Sequence, residues 1–147
     1  NKREKASFLK ENILPLQQSG QLKLISLPAF KSANNLQEIH FSPNITCFVV
    51  NGHTQGMLIP KINIAGQQLV YMADLLPSVA HIPLPYVMGY DMQPLITLEE
   101  KDLFLNEAVK NNYTLLKIMN YDIKYKSCNF SHQDYHQQKL FSSCHHF

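Results

Sequence analysis

The chain reads as an α/β domain, on three features of its sequence. Residues 57–64 (MLIPKINI) and 67–72 (QQLVYM) are β-patterned runs separated only by Ala65-Gly66, the signature of a hairpin. Apolar residues then recur at helical spacing from 98 to about 110. A last short apolar run, 114–118 (TLLKI), follows that helix. Strand, helix and strand in this order make a crossover, which lays its two strands parallel.

Taken in order, the elements begin with a helix over residues 3–17, where Ala6, Leu9, Ile13 and Leu16 form one stripe. Pro15 and Gly20 mark its end. Residues 22–27 read as a short strand and 32–35 as a loop. ITCFVV, at 45–50, is a strand rich in β-branched residues, and NGHTQG (51–56) is the turn after it. Pro60 predicts an edge position or a bulge in the first hairpin arm. Residues 75–96, with Pro77, Pro83, Pro85 and Pro94, read as an irregular loop, long enough in a compact domain to suggest function. Thr97 and Glu100 form a T-x-x-E capping box ahead of the helix, whose buried face is Leu98, Leu105, Ala108 and Val109. The division is therefore a domain over residues 1–118 and a tail of different composition over 119–147, with no internal repeat.

Composition bounds the function classes. The chain has 147 residues, enough for one domain, and a formal net charge of +2 with the signs interspersed. That leaves no basic footprint for nucleic acid. No apolar run reaches the length of a membrane span, and NKREKASFLK is not a signal peptide. A cytoplasmic location is the default expectation. The first residue is Asn1, so the natural start is expected upstream. Cys47, Cys128 and Cys144 do not make a disulfide framework, and Cys47 reads as a small core residue. Sequons at Asn44, Asn112 and Asn129 read as chance in an asparagine-rich chain.

Topology gathers polar residues on one rim. His53 precedes the first hairpin arm and Asp74 follows the second, so both fall at the hairpin's open end. The parallel strand 114–118 ends on the same edge, delivering Tyr121 or Asp122 nearby. Ligand sites of α/β proteins favour such carboxyl ends of strands. An imidazole and a carboxylate on one rim suit a divalent transition metal. An ordinary turn histidine and a strand-end aspartate are the plainer reading of the same residues.

These residues also carry a resemblance. VNGHTQGM, then LVYMADLLPSVAHIPLPYVMGYD, then TLEEKDLFLNEAVKNNYTLL resemble the C-terminal half of metallo-β-lactamase-superfamily hydrolases, over residues 3 to 118. The similarity is greatest to the branch with lactonase-like and organophosphate-hydrolase-like members. It implies an αββα sandwich, here incomplete, with two sheets face to face and helices outside. It implies a hydrolase using divalent metal, zinc foremost and two ions in a complete site, on a small ester, lactone or phosphoester substrate. His53 would be a ligand of one metal and Asp74 the bridging ligand. His81 would lie in the substrate pocket, or alternatively anchor the proline-rich loop.

Two departures limit the resemblance. The family's H-x-H-x-D-H signature belongs to an N-terminal half that this sequence lacks. SHQDYH (131–136) has neither its spacing nor its place, and Cys128, His132, His136 and Cys144 lack a zinc-knuckle spacing. The last family ligand, a histidine before an aspartate, aligns with Tyr121, and neutral tyrosine is a poor zinc ligand. Degeneration of the site, or a change of reading frame after residue 118, would each produce this. Two ligands do not close a metal site, so the chain alone is expected to bind metal weakly and to hydrolyse negligibly. The alternatives are a non-catalytic remnant or interaction module, or one half of a split enzyme; the expected macromolecular partners are a second copy in a homo-oligomer or a complementary N-terminal half.

Overall fold

A computed structural model describes residues 2–27 and 35–116 of the chain. Five strands form one sheet in chain order: β1 (Gln37–Ser42), β2 (Ile45–Val50), β3 (Met57–Ile64), β4 (Gln67–Tyr71) and β5 (Thr114–Leu116). β1 to β4 are antiparallel neighbours, and β5 runs parallel to β4 with Tyr71 opposite Leu116. The crossover between β4 and β5 contains a single 3₁₀ turn, Val79–His81, and the helix Pro94–Lys110. The hairpin turn has positive φ at both central residues, Ala65 at 50° and Gly66 at 82°. That is the type I′ geometry, whose twist matches the strands it joins.

Helix α1 occupies Lys10–Gln18, shorter than the stripe over 3–17 suggests, and buries no residue. Ahead of it, the chain is tied down by tertiary contacts instead: Arg3 Nη2 donates to the Gly89 carbonyl at 2.7 Å, and the Thr54 hydroxyl donates to Glu4. Pro15 lies inside α1 and does not end it. Residues 22–27 pair with no strand among the described residues, and Leu24 is 83% exposed; an extended run needs a ladder partner to become a strand. β1 has no counterpart in the sequence reading, because its Gln, Glu, His and Ser mask the alternation at Ile39 and Phe41. The loop expected at 32–35 falls almost wholly outside the described residues.

Pro60 stands in an interior strand, opposite Cys47, and the β2–β3 ladder passes it without a bulge. Pairing between β3 and β4 reaches only Lys61, so the proline sits where that ladder lapses and no donor is missed. Helix α2 (Pro94–Lys110) starts four residues earlier than a capping box at Thr97 and Glu100 requires. Gln93 is its N-cap and Pro94 its first residue, where a preset φ and a missing N–H are harmless. At its other end Asn112 takes φ 53°, Tyr113 N–H donates to the Ala108 carbonyl, and Asn112 N–H to that of Val109. This Schellman pattern turns the chain directly into β5.

The core lies between α2 and one face of the sheet. Phe48, Val50, Ile59, Val70, Met72 and Leu115 meet Phe104, Leu105 and Ala108 there. The Phe104 ring packs edge-on to Phe48, with centroids 5.7 Å apart. Each of these buried side chains except Ala108 contributes about 1.5–3 kcal/mol through removal from water. Strand register puts Ile45, Ile62, Ile64, Leu69, Tyr71 and Leu116 on the opposite face. That face is apolar but only partly covered: Ile45 is 38%, Ile64 52% and Tyr71 40% exposed. Among the described residues no helix is long and apolar enough to cross a membrane.

Candidate functional site

The loop between β2 and β3 is built to hold His53 still. Asn51 N–H and Gly52 N–H donate to the two carboxylate oxygens of Glu100 at 2.7 and 2.9 Å. The Asn51 side chain accepts from Gly56 N–H at 3.0 Å, with Gly56 at φ 76°, which closes the loop on itself. Gly52 presses against Thr97 so closely that any Cβ would strike its backbone. From the other side, Gln93 N–H donates to the Gly52 carbonyl at 2.8 Å and Met92 N–H to that of His53 at 3.1 Å. Glu100 thus serves the β2–β3 loop and not a helix cap. Burial pushes its carboxyl up from the ordinary range, against the opposing pull of the Gly52 and Asn51 amides.

Asp74 reaches the same place from the end of β4. Met72 N–H donates to the Leu116 carbonyl at 2.8 Å, extending the parallel ladder by one bond. Ala73 then takes a positive φ of 43°, which ends the strand and swings the chain toward His53. His53 Nε2 lies 3.4 Å from Asp74 Oδ2, and His53 Nδ1 lies 2.8 Å from Asp91 Oδ1. The two carboxylates differ in setting, the Asp74 side chain being 41% exposed and that of Asp91 fully buried. His53 and Asp74 line an open cleft of about 500 Å³, shared with Glu4, Phe8, Met57 and Tyr90.

A shared metal ion makes a definite demand on the donor pair. Tetrahedral zinc with bonds of roughly 2.0–2.2 Å needs neighbouring donors about 3.4 Å apart. His53 Nε2 and Asp74 Oδ2 meet that separation. Among the described residues no group of three or more histidine, cysteine, aspartate or glutamate side chains is placed to hold a metal. The pair fits one edge of a metal's coordination shell and does not complete the shell.

His81 is not among the residues lining the cleft. It closes the 3₁₀ turn, with Nδ1 2.8 Å from Ser78 Oγ. Its carbonyl, with those of Pro83 and Tyr86, accepts from the Lys101 ammonium at 2.7–2.8 Å. The proline-rich segment is therefore wrapped around a buried lysine. Burial lowers the Lys101 amine to about 8, with the Asp91 charge pulling the other way. Tyr121 and Asp122 lie outside the described residues, as do Cys128, His132, His136 and Cys144.

Asp91, Glu100 and Lys101 escaped the sequence reading. Glu100 was concealed by the T-x-x-E pattern, which it shares with helix caps. Lys101 has a readable signal, a cation in line with Thr97, Phe104, Leu105 and Ala108 on the buried helix face. Asp91 has none: only the fold sets it beside His53.

No family model matches the chain, and no curated protein matches it. Solved structures do. The chain is similar to a probable metal-dependent hydrolase from Staphylococcus aureus at 25% identity and a TM-score of 0.58, over 65% of this chain and 34% of that one. It is also similar in fold to AidC, a dizinc quorum-quenching lactonase, at 16% identity and a TM-score of 0.52, over 88% of this chain and 47% of that one. The chain thus spans less than half the length of either protein. Both neighbours are hydrolases that use metal, by description, and the mixed α/β architecture is common ground.

Proposed function

We propose that this chain carries one part of the metal-binding rim of a hydrolase in the metallo-β-lactamase superfamily, corresponding to the C-terminal half. One observation carries the reading: the 3.4 Å approach of His53 Nε2 to Asp74 Oδ2 at the mouth of an open cleft, where strand ends converge. In this reading His53 and Asp74 are two ligands, and the remaining ligands come from outside the described residues. Zinc is the first expectation, although a His/Asp pair also takes manganese, iron or cobalt. A metal held there would supply a water made acidic enough to act as a nucleophile near neutral pH, and would polarise the carbonyl or phosphoryl oxygen of an ester, lactone or phosphoester. The chain's own residues hold the ligands: Glu100 fixes the loop that carries His53, and the positive φ at Ala73 aims Asp74. The likeness to a probable metal-dependent hydrolase and to a dizinc lactonase supports the class, and the share of their length matched supports a half-domain.

A second reading, a non-catalytic remnant or interaction module, draws support from the partly exposed apolar sheet face and from a donor set that stops at two among the described residues. A calorimetric zinc titration of the chain, beside its His53→Ala and Asp74→Ala variants, separates the two. The expected result is weak binding, weaker still in both variants, with negligible hydrolysis of chromogenic ester, lactone and phosphotriester substrates. Binding that ignores both substitutions removes His53 and Asp74 from the metal site. A stoichiometric sub-micromolar site in the chain alone shows the ligand set to be complete and overturns the half-site reading.

A further inference from the structure

We propose that Asp91 is a positioning residue for His53, holding the neutral ring in the tautomer that keeps its proton on Nδ1 and turns the Nε2 lone pair toward Asp74 and the cleft. The inference deepens the metal-rim reading and rests on it for its purpose, since only an unprotonated Nε2 can bind a cation.

The geometry decides where the proton sits. Two carboxylates compete for one imidazole proton. Asp91 Oδ1 is 2.8 Å from Nδ1, well inside hydrogen-bond range, whereas Asp74 Oδ2 is 3.4 Å from Nε2, beyond it. Solvent decides the same way. The Asp74 side chain is 41% exposed and water can solvate its charge. The Asp91 side chain is fully buried, and its Oδ2 has no hydrogen-bond partner among the described residues. A buried carboxylate left without a donor is costly, so Asp91 needs the His53 proton more than Asp74 does. The nearby charge of Lys101 offsets part of that burial through space. The backbone removes the remaining freedom: Met92 N–H on the His53 carbonyl, and Gln93 N–H on that of Gly52, lock residue 91 beside residue 53. A histidine ligand whose second nitrogen donates to a carboxylate has its orientation fixed and its ligating nitrogen made more basic.

The test is long-range nitrogen–proton NMR on the full chain with ¹⁵N-labelled histidine. The His53 signals are identified by their loss in His53→Gln, and the pH is raised until the ring is neutral. The expected pattern is a protonated Nδ1 and a bare Nε2. In Asp91→Leu the population shifts toward protonated Nε2, and Asp91→Asn, which keeps an acceptor oxygen, retains more of the original tautomer. A protonated Nε2 in the unsubstituted chain overturns the proposal, as does a pattern that a folded Asp91→Leu leaves unchanged. If neither variant folds, the unsubstituted spectrum decides alone. Zinc titration of the same sample keeps the two readings apart: a protonated Nδ1, with zinc binding that His53→Ala and Asp74→Ala leave unchanged, supports the positioning role and defeats the metal-rim reading. Where zinc binds, Asp91→Leu is expected to weaken it about ten- to hundredfold.

Discussion

Single side chains explain why this loop-rich edge of the sheet is ordered. Glu100 and Lys101 are adjacent, buried and oppositely charged, yet neither answers the other in a salt bridge. Each satisfies backbone groups of a different loop: Glu100 the amides of Asn51 and Gly52, Lys101 the carbonyls of His81, Pro83 and Tyr86. Replacing Glu100 by alanine leaves two N–H groups without acceptors, and about 1–3 kcal/mol of stability is expected to vanish in urea denaturation. The His53 resonances should move with it, since the same loop carries both. Lys101 gives a pH signature. Its folded-state pKa is lowered to about 8 from an ordinary 10.5. Between those values the unfolded chain holds more protons than the folded one, so this group's contribution to stability rises with pH across the window. Urea midpoints measured from pH 8 to 10.5 should climb more steeply in the unsubstituted chain than in Lys101→Met. Equal slopes would mean that Lys101 keeps its ordinary proton affinity when buried.

At the scale of elements, helix α2 has two parts on one face. Its first half buries Thr97, Glu100 and Lys101, and its second buries Phe104, Leu105 and Ala108. The spacing is that of an ordinary amphipathic helix, but the first half faces loops that need polar partners and the second faces the sheet. This division is why a face predicted from Leu98, Leu105, Ala108 and Val109 met the buried face only at Leu105 and Ala108, while half-buried Leu98 stands beside the polar residues that fill the first half. The hairpin offers a simpler test. Ala65 sits at φ 50°, a region that costs an L-residue with a Cβ about 1–2 kcal/mol. Asparagine and glycine tolerate it, so Ala65→Asn or Ala65→Gly is expected to raise stability by about 0.5–1 kcal/mol, read as a higher urea midpoint. No change would mean that the turn adopts another geometry in solution.

At the scale of the molecule, the sheet has one finished face and one unfinished one. α2 seals the first, while the second presents Ile45, Ile64 and Tyr71 partly to water. In the N-terminal segment, Phe8, Leu9, Ile13, Leu14 and Leu16 are exposed apolar residues as well. Apolar patches of this kind mark association sites or drive aggregation. The chain is therefore expected to self-associate as its concentration rises, in sedimentation velocity. A double substitution Ile45→Lys and Ile64→Lys should shift it toward monomer without changing the circular dichroism of the sheet. An unsubstituted chain that stays monomeric throughout would show this face to be adequately covered.

The sequence by itself determined the elements whose signals are local. ITCFVV, the two hairpin arms and the parallel crossover are legible because β-branched runs, a two-residue turn and a helix between strands each carry their own pattern. The meeting of His53 with Asp74 on one rim followed from those elements alone, because a hairpin closes its open end whatever its side chains are. Only the tertiary structure decided the rest. Residues 22–27 have strand-like composition but no ladder partner among the described residues, and the polar β1 has a partner that its composition does not announce. Glu100 looks like a cap until the β2–β3 loop is seen to lie against it, and Asp91 looks like a loop acid until two backbone hydrogen bonds set it beside His53. The physical reason is common to all four. Pairing, burial and orphaned hydrogen-bonding groups belong to contacts between distant segments, and no window along the chain contains both sides of such a contact.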